Sequence, residues 1–458
     1  MSSLKHLEFE GVRTFDIFSL SFHNDSSLIS LKITNYNFTS FPHRPFQQLK
    51  SLSKLQVNDG KLKALPKQLF YGLYNLKTLD LSYNLIESVH PLVFRHLTLL
   101  EQLNLERNAI TSLPEDLLKY LMNLRILTIS GKFTELRSVF LKGLDNLTEF
   151  RASYYPSIRI EEDYFSHSIN LRKVALYHNN VLHLPSNLFK NNKNLEIFQC
   201  NWNKLLTLPN GIFDGPSNLK KIDLHENRLE NIPEDFFQRL TNLDKLNLSY
   251  NRLTFLPKHI FLPTNNLRIL RLSGNNFSKF SFDFNNNLEQ LYMYRAGLTE
   301  WPNLNWTKYN LTYVDFQSNH FETVKLPIYT PNRMNIDLNF CHIKTIYIDK
   351  WKCGFNTPRY KLRYNPITCD GKLLHFISTV QSNLQISLQI FPDVKDMKCE
   401  GEERKLLDYT QFYVIKNHCP LNCECFWENE DLTVDCNGEK NKPITRISDR
   451  KCDSRRFD

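Results

Sequence analysis

The chain has 458 residues, of which 41% are hydrophobic and 23% charged, so it contains enough apolar material for a long core and shows no sign of wholesale disorder. Only 13 residues are glycine, which disfavours glycine-rich nucleotide-binding architectures, and the formal net charge of +9 is mild and spread along the chain, which disfavours nucleic-acid binding. The first residues, MSSLKHLEFEGVRTF, lack the apolar stretch of a signal peptide, and no later run is long enough to cross a membrane. These features alone predict a soluble cytosolic protein.

From Leu4 onward the chain repeats the leucine-rich pattern L-x-x-L-x-L-x-x-N-x-L. One clear copy places Leu243, Leu246, Leu248 and Asn251 in these positions, and most repeats are 24 residues long. We call the asparagine position of the pattern the asparagine column. Its sixteen members are Val12, Tyr36, Gly60, Asn84, Asn108, Lys132, Tyr155, Asn179, Asn203, Asn227, Asn251, Asn275, Ala296, Asn319, Cys341 and Asn365.

Each part of the repeat predicts a structure. The L-x-L core predicts a short strand whose leucines point inward, and stacked repeats predict a parallel sheet. The column asparagine is expected to satisfy buried backbone groups of the adjoining turns. The predicted fold is an α/β leucine-rich repeat solenoid, a horseshoe with a concave parallel sheet and about sixteen repeats. A phenylalanine ten residues after the column predicts an internal spine on the outer side, formed by Phe22, Phe46, Phe70, Phe94, Phe165, Phe189, Phe213, Phe237 and Phe261.

Cysteines mark the end of the repeat array. Cys200 and Cys341 occupy positions of the repeat itself and are expected to be buried thiols. Beyond the array, Asn365-Pro-Ile-Thr-Cys369, with Cys399 downstream, resembles the C-terminal capping module of extracellular leucine-rich repeat proteins. That module normally holds four cysteines, and Gly371 stands where its second would be. The resemblance therefore implies one surviving disulfide, between Cys369 and Cys399.

A second cysteine cluster comes directly after this module. The run Cys419-Pro-Leu-Asn-Cys423-Glu-Cys425, with Cys436 downstream, resembles an N-terminal capping module of the same protein class. The resemblance implies pairs between Cys419 and Cys425 and between Cys423 and Cys436. A zinc site is the alternative, but C-x-C spacing without a second pair or nearby histidines fits it poorly. The predicted domains are a repeat array at 1–365, a C-terminal cap at 366–418, an N-terminal cap of a following array at 419–437 and a truncated tail at 438–458.

Disulfide caps imply an oxidising compartment and reverse the cytosolic prediction. N-glycosylation sequons agree with an extracellular location. Seven are present, at Asn24, Asn37, Asn146, Asn247, Asn276, Asn305 and Asn310.

A long repeat array followed by a C-terminal cap and at once by an N-terminal cap resembles the ectodomain of the arthropod Toll receptors. The resemblance implies a type I membrane receptor of innate immunity or development, anchored at the cell surface by a span outside this sequence. It implies a Spätzle-like cystine-knot cytokine dimer as ligand, and receptor dimerisation is a further expected contact. No cofactor, metal or nucleic-acid partner is expected from the composition and motifs. Both ends of the sequence are expected to be cuts in a longer chain.

Two columns of outward-pointing side chains precede the asparagine column and predict where a ligand would bind. Rigid aromatic side chains are favoured at binding hot spots, and one candidate set on consecutive strands is Tyr154, Tyr177, His178, Trp202, His225 and Tyr250. The alternative is that these rings only cover the sheet or pack against each other. The Toll resemblance adds a second set, nearer the N-terminus, of Tyr36, Tyr83, Glu106 and Arg107.

Catalytic signatures are absent from the sequence, which predicts a protein that is not an enzyme. The run His225-Glu226-Asn-Arg-Leu229 lacks the second histidine of a zinc protease helix, and no nucleophile elbow, P-loop or dinucleotide fingerprint occurs. The main alternative function is a secreted or surface leucine-rich repeat protein with an adhesion or matrix role. A third is an intracellular repeat scaffold, which would need reduced cysteines.

Overall fold

The structure is a computed structural model that divides into two compact units, Met1–Leu267 and Arg268–Asp458. It describes residues 4–13, 27–132, 134–154, 158–280, 282–327, 330–348, 358–369, 373, 376–377, 380, 388–401, 403, 405–406, 423–428, 431–436 and 439–440. In the three ranges after residue 406 only the backbone is described.

The first unit is built on short parallel strands, one from each repeat. Eleven of them form one sheet in the order β1-β2-β3-β5-β7-β8-β10-β12-β13-β14-β15, and β4–β6 and β9–β11 form two small parallel pairs. The strands are β1 His6–Glu10, β2 Ser30–Thr34, β3 Lys54–Asn58, β4 Ala64–Leu65, β5 Thr78–Asp80, β6 Ser88–Val89, β7 Gln102–Leu105, β8 Ile126–Ile129, β9 Glu135–Leu136, β10 Glu149–Ser153, β11 Arg159–Ile160, β12 Lys173–Tyr177, β13 Ile197–Gln199, β14 Lys221–Asp223 and β15 Lys245–Asn247.

The second unit continues the pattern with five parallel sheet strands in the order β16-β17-β18-β20-β22, a β19–β21 pair and an antiparallel β23-β24-β25 sheet. The strands are β16 Ile269–Arg271, β17 Gln290–Tyr292, β18 Tyr313–Asp315, β19 Thr323–Leu326, β20 Asn335–Asp337, β21 Thr345–Ile348, β22 Arg359–Lys361, β23 Cys423–Glu428, β24 Asp431–Cys436 and β25 Glu439–Lys440.

The predicted repeat solenoid is confirmed, with little helix. Among the described residues, α-helix occurs only within 376–390, and two 3₁₀ turns span Ser138–Leu141 and Trp306–Lys308. Strand register explains the regularity, because Leu55 pairs with Leu79 and Leu79 with Leu103, so that like positions stack. All three leucines are at most 1% exposed. None of the helices in the described part is long and apolar enough to cross a membrane.

The phenylalanine spine is confirmed wherever it is described. Phe46, Phe70 and Phe94 stack face to face, with centroids 6.4 and 5.9 Å apart, and all three are at most 1% exposed. A second run stacks Phe165 on Phe189 at 5.6 Å. Phe22 lies outside the described residues. Because each ring occupies the same position in its repeat, one aromatic side chain fills the space between sheet and outer loops in each repeat that has a spine phenylalanine.

The asparagine column forms the expected hydrogen-bond ladder. Asn227 donates through Nδ2 to the carbonyls of Cys200 and Leu224, at 2.8 and 3.0 Å, and its Oδ1 accepts from the backbone N–H of Leu205 at 3.0 Å. One amide thus satisfies backbone groups on neighbouring repeats, which would otherwise be buried without partners. Asn84, Asn203, Asn251 and Asn319 repeat this arrangement.

The cysteines lie where the sequence predicts, as far as the structure describes them. Cys200 and Cys341 are buried free thiols. A disulfide joins Cys369 to Cys399, with Cα atoms 5.6 Å apart, which is the bridge that the cap resemblance implied. In the backbone register of β23 and β24, Cys423 lies opposite Cys436. Cys419 lies outside the described residues, and the remaining cap pairings stay predictions.

Candidate ligand-binding face

The residue before the asparagine column has a left-handed backbone, and this feature aims its side chain. It follows the strand in repeat after repeat with φ between 48° and 72°. Outside glycine this conformation is uncommon and costs about 1–2 kcal/mol. The asparagine hydrogen bonds on either side hold the turn in place. The left-handed members are Gly11, Asn35, Asp59, Tyr83, Arg107, Tyr154, His178, Trp202, Glu226, Tyr250, Gly274, Arg295, Ser318, Phe340 and Tyr364.

In the first unit these turns bring three rings into one stack. The Tyr154 and His178 rings are 5.2 Å apart and almost parallel, at 5°. The His178 and Trp202 rings are 5.1 Å apart at 17°. Tyr154 remains 40% exposed and Trp202 46% exposed. Their faces are therefore covered by each other, and a partner can touch their edges.

Arg107 extends the stack towards the N-terminus across a gap. The next repeat has Gly131 in the same column, with no side chain to fill the space. The Arg107 guanidinium reaches over it and lies 3.7 Å from the centroid of the Tyr154 ring, and 5.4 Å from that of Tyr83 on its other side. Such cation–π contacts stabilise by about 0.5–1 kcal/mol at exposed sites. We call Tyr83, Arg107, Tyr154, His178 and Trp202 the stacked ladder.

The second outward column supports the ladder from beside it. Tyr177 meets His178 edge to face at 6.3 Å, and His225 meets Trp202 in the same way at 6.0 Å. Glu106 also spans the gap repeat, because its Oε1 accepts a hydrogen bond from the Ser153 hydroxyl at 2.9 Å. Most members of the two predicted sets of ligand-binding residues thus form one continuous surface; Tyr36 and Tyr250 do not belong to it.

Burial and nearby charges set the protonation state of His178 in the ladder. Burial lowers the pKa of His178, and the positive Arg107 and the neighbouring His225 add to the shift. His225 Nδ1 lies 2.7 Å from Asp223 Oδ1. Although burial alone would raise the pKa of Asp223, its hydrogen bonds and charge interaction with His225 lower it. The ladder therefore presents a neutral imidazole between two aromatic rings at neutral pH.

The prediction that Tyr36 belongs to the ligand-binding face is wrong. Tyr36 stands in the asparagine column, whose side chains point inward, and it is only 3% exposed. Its ring stacks on Phe38 at 4.2 Å, and its hydroxyl donates to Asn84 Oδ1, two repeats further on. Gly60 is the column residue between them, and a Cβ on it would overlap the Tyr36 ring. The Tyr36 side chain thus fills the space that asparagine side chains would occupy at positions 36 and 60.

Tyr250 lies apart from the ladder. It has the same left-handed turn and is 45% exposed, but Glu226 occupies the intervening repeat. Its ring makes no stacking contact with the ladder among the described residues. The repeat register places every ladder residue in its column, but it does not show which side chains are in contact. The sequence signal for the Arg107–Tyr154 contact is the glycine at 131, which follows the long side chain of Arg107 in the column.

The sequons differ in their surroundings. Asn37, Asn146, Asn276, Asn305 and Asn310 are exposed. Asn247 is half-buried on β15, where its Oδ1 accepts from the backbone N–H of Ser249 at 3.1 Å. Asn24 lies outside the described residues. In the part of the chain that is described, no cluster of three metal-ligating side chains occurs.

Comparison with known proteins agrees with the repeat architecture. A leucine-rich repeat family model matches residues 50–110, 217–277 and 242–295. The chain superimposes on Toll in the Drosophila Toll–Spätzle complex with a TM-score of 0.78 at 23% identity, over 95% of its own length. The chain has the leucine-rich repeat fold of Toll. It spans 62% of that Toll chain.

Two further structures resemble the chain. The glycosylated form of the Toll–Spätzle complex gives a TM-score of 0.75 at 24% identity, covering 94% of this chain and 61% of Toll. TLR13, solved in complex with ssRNA13, gives 0.62 at 19% identity, covering 90% of this chain and 57% of TLR13. No curated protein sequence matches the chain. The Toll-type fold is thus shared with proteins solved in complex with a protein and with an RNA.

Proposed function

We propose that the chain is the extracellular ligand-binding part of a Toll-type transmembrane receptor of immune or developmental signalling. Its ligand is a Spätzle-like cystine-knot cytokine dimer, bound by protein–protein contact. The observation that carries this proposal is the stacked ladder, a rigid and exposed row of aromatic and cationic edges on a parallel sheet. The Toll-type fold and the Cys369–Cys399 bridge support it.

A protein ligand suits the ladder better than a small molecule does. The rings already fix one another, so that the ladder side chains lose little conformational entropy when a partner binds. Tyrosine, tryptophan and arginine are also the side chains that contribute most at protein interfaces. The ladder is a flat row rather than a closed cleft, and small-molecule sites are usually concave.

The proposed domains are those that the sequence predicts. The array occupies 1–365, the C-terminal cap 366–418, the N-terminal cap of a following array 419–437 and a truncated tail 438–458. Cys423 opposite Cys436 in the β23–β24 register supports a second-cap disulfide between them, with Cys419 pairing to Cys425. Glycans on the exposed sequons and receptor dimerisation complete the proposal.

The proposal is tested by measuring binding of a Spätzle-like cytokine dimer, and separately of single-stranded RNA, to the immobilised chain. We expect saturable cytokine binding that weakens at least tenfold in the double variant Tyr154→Ser/Trp202→Ser. Tyr347→Ser is the control, because Tyr347 is 42% exposed but lies in the second unit on β21. Binding of RNA alone, or of neither probe as in an adhesion or matrix protein, would overturn the proposal.

A further inference from the structure

A concentration of unpaired positive charge lies on the outer loops of three consecutive repeats. Segments 36–52, 60–76 and 84–100 contain six lysines and arginines and one acidic residue, a net charge of +5, whereas the whole chain carries +9. None of the six pairs with a carboxylate among the described residues. The six are Arg44, Lys50, Lys61, Lys63, Lys67 and Arg95.

Most outer loops elsewhere in the first unit contain acidic as well as basic residues; segments 179–195 and 251–267, with two basic residues each, are the exceptions. Arg137 pairs with Glu115, and Arg239 Nε lies 3.3 Å from Asp214 Oδ1. Such pairs join a basic residue to an acidic one in a neighbouring repeat. The charge that the sequence predicts to be spread evenly is therefore locally uncompensated on these three loops, which raises the local concentration of anions.

Both arginines of this group belong to one aromatic cluster. The Arg44 guanidinium lies 4.4 Å from the centroid of the Tyr71 ring. Tyr71, Tyr74 and His96 meet edge to face in all three pairings, at 5.4 to 6.2 Å. Arg95 Nε donates to His96 Nε2 at 2.7 Å. We call Arg44, Tyr71, Tyr74, Arg95 and His96 the basic aromatic cluster.

Arg44 is held in place at a cost to the backbone. Its φ of 52° is left-handed, although it lies outside the strand-ending column; Asn180 and His342 are the other non-glycine residues outside that column with this conformation in the described part of the chain. Its Nε donates to Gln68 Oε1 at 2.7 Å, which fixes the plane of the guanidinium. Strained residues of this kind persist where the surroundings require them and often mark binding sites. The Nη groups remain available to an anion.

The histidine adds a neutral donor. Burial lowers the pKa of His96, and the charge of Arg95 lowers it further. Since Nε2 accepts from Arg95, the proton of the neutral ring lies on Nδ1. Tyr74, 43% exposed, supplies an open ring face beside these donors. Cations, N–H donors and an exposed aromatic face together suit a chain of anionic sugars.

We propose that the basic aromatic cluster and the surrounding lysines bind a sulfated polysaccharide. The positive charges recur over three repeats, so the surface complements a polymer with anions along its length rather than a single ion. The choice of a polysaccharide rests on the extracellular location proposed above. The site lies on the outer loops and uses no residue of the stacked ladder.

Binding of heparin to the full chain at 150 mM sodium chloride, measured by surface plasmon resonance, tests this proposal. We expect Arg44→Gln/Arg95→Gln to weaken binding about tenfold and to make it less dependent on salt, because fewer counterions are released. Arg239→Gln/Arg252→Gln is the matched control: it removes the same charge from ion-paired arginines of the same unit and should leave heparin binding unchanged. Lys61→Gln/Lys67→Gln, at two exposed lysines, gives a second test should the arginine variant unfold.

Equal weakening by the control pair would overturn the proposal, as would binding of neutral dextran as tightly as heparin. Tighter binding of polyglutamate than of heparin would also overturn it and would indicate an acidic protein partner. None of these measurements involves a cytokine. Failure here is thus distinguishable from failure of the proposed receptor function.

Discussion

At the scale of single residues, the molecule fills missing side chains with long neighbours. Tyr36 crosses the repeat of Gly60 to reach Asn84 inside the core. Arg107 crosses the repeat of Gly131 to reach Tyr154 on the surface. In both places glycine serves by leaving space, and the side chain one repeat earlier uses it. The glycine of each pair should therefore tolerate a larger residue only when the long side chain, Tyr36 or Arg107, is shortened as well.

Gly60→Ala tests this coupling in the core. The new Cβ would overlap the Tyr36 ring, so we expect the free energy of unfolding to fall by about 1–3 kcal/mol. In a Tyr36→Asn background the same substitution should cost little. Native-state hydrogen exchange of amides in these repeats measures both. An equal loss in the two backgrounds would show that Tyr36 is not the obstacle.

The pKa of His178 depends on whether Arg107 lies beside it in the stacked ladder. Because Arg107 disfavours the charged imidazole, Arg107→Gln should raise the pKa of His178, although burial will still hold it below the ordinary value. A histidine whose pKa is lowered by folding takes up protons more readily when unfolded. Its contribution to stability is therefore lost as pH falls below about 6.5. Nuclear magnetic resonance titration of the ring measures the pKa, and an unchanged value in the variant would contradict the placement of Arg107.

At the scale of the strand and its turn, conformation and sequence preference disagree. Tyrosine, tryptophan and glutamate occupy left-handed positions that favour glycine or asparagine. The hydrogen bonds of the asparagine column and the register of the strands impose this conformation. The result is a column of outward side chains at a fixed spacing, interrupted where the column residue is glycine.

Substitutions at Glu226 and Lys245 compare the residue preferences of the left-handed turn with those of the strand. Glu226 has φ of 54°, whereas Lys245 is an exposed strand residue of the adjacent repeat. At Glu226, valine should be less stable than asparagine by about 1 kcal/mol, because β-branched residues avoid left-handed backbone. At Lys245 the order should reverse, since valine favours strands. Urea unfolding of the four variants checks this, and the same order at both sites would contradict it.

At the scale of the whole molecule, the repeat period predicts far more side-chain positions than local conformational propensity does. The register alone placed the leucine core, the phenylalanine spine, the buried Cys200 and Cys341, and the outward column. It also placed Tyr36 in the inward column, where the structure buries it; the error came from the Toll resemblance, which put Tyr36 in the ligand-binding set in spite of that position. The register missed the Arg107–Tyr154 contact and the unpaired charge of the three outer loops. Those features depend on side-chain reach and on which loops lie side by side.

In the proposed receptor, the stacked ladder, rather than any exposed ring in the outward column, binds the ligand. Trp202 and Tyr364 make a matched pair, since both have left-handed backbones, both are exposed, and both stack on a neighbouring ring. The most direct test is the dissociation constant of a Spätzle-like cytokine dimer for Trp202→Ala and for Tyr364→Ala. We predict a loss of at least tenfold for Trp202→Ala and an unchanged value for Tyr364→Ala. Equal dissociation constants for the two variants would contradict the claim.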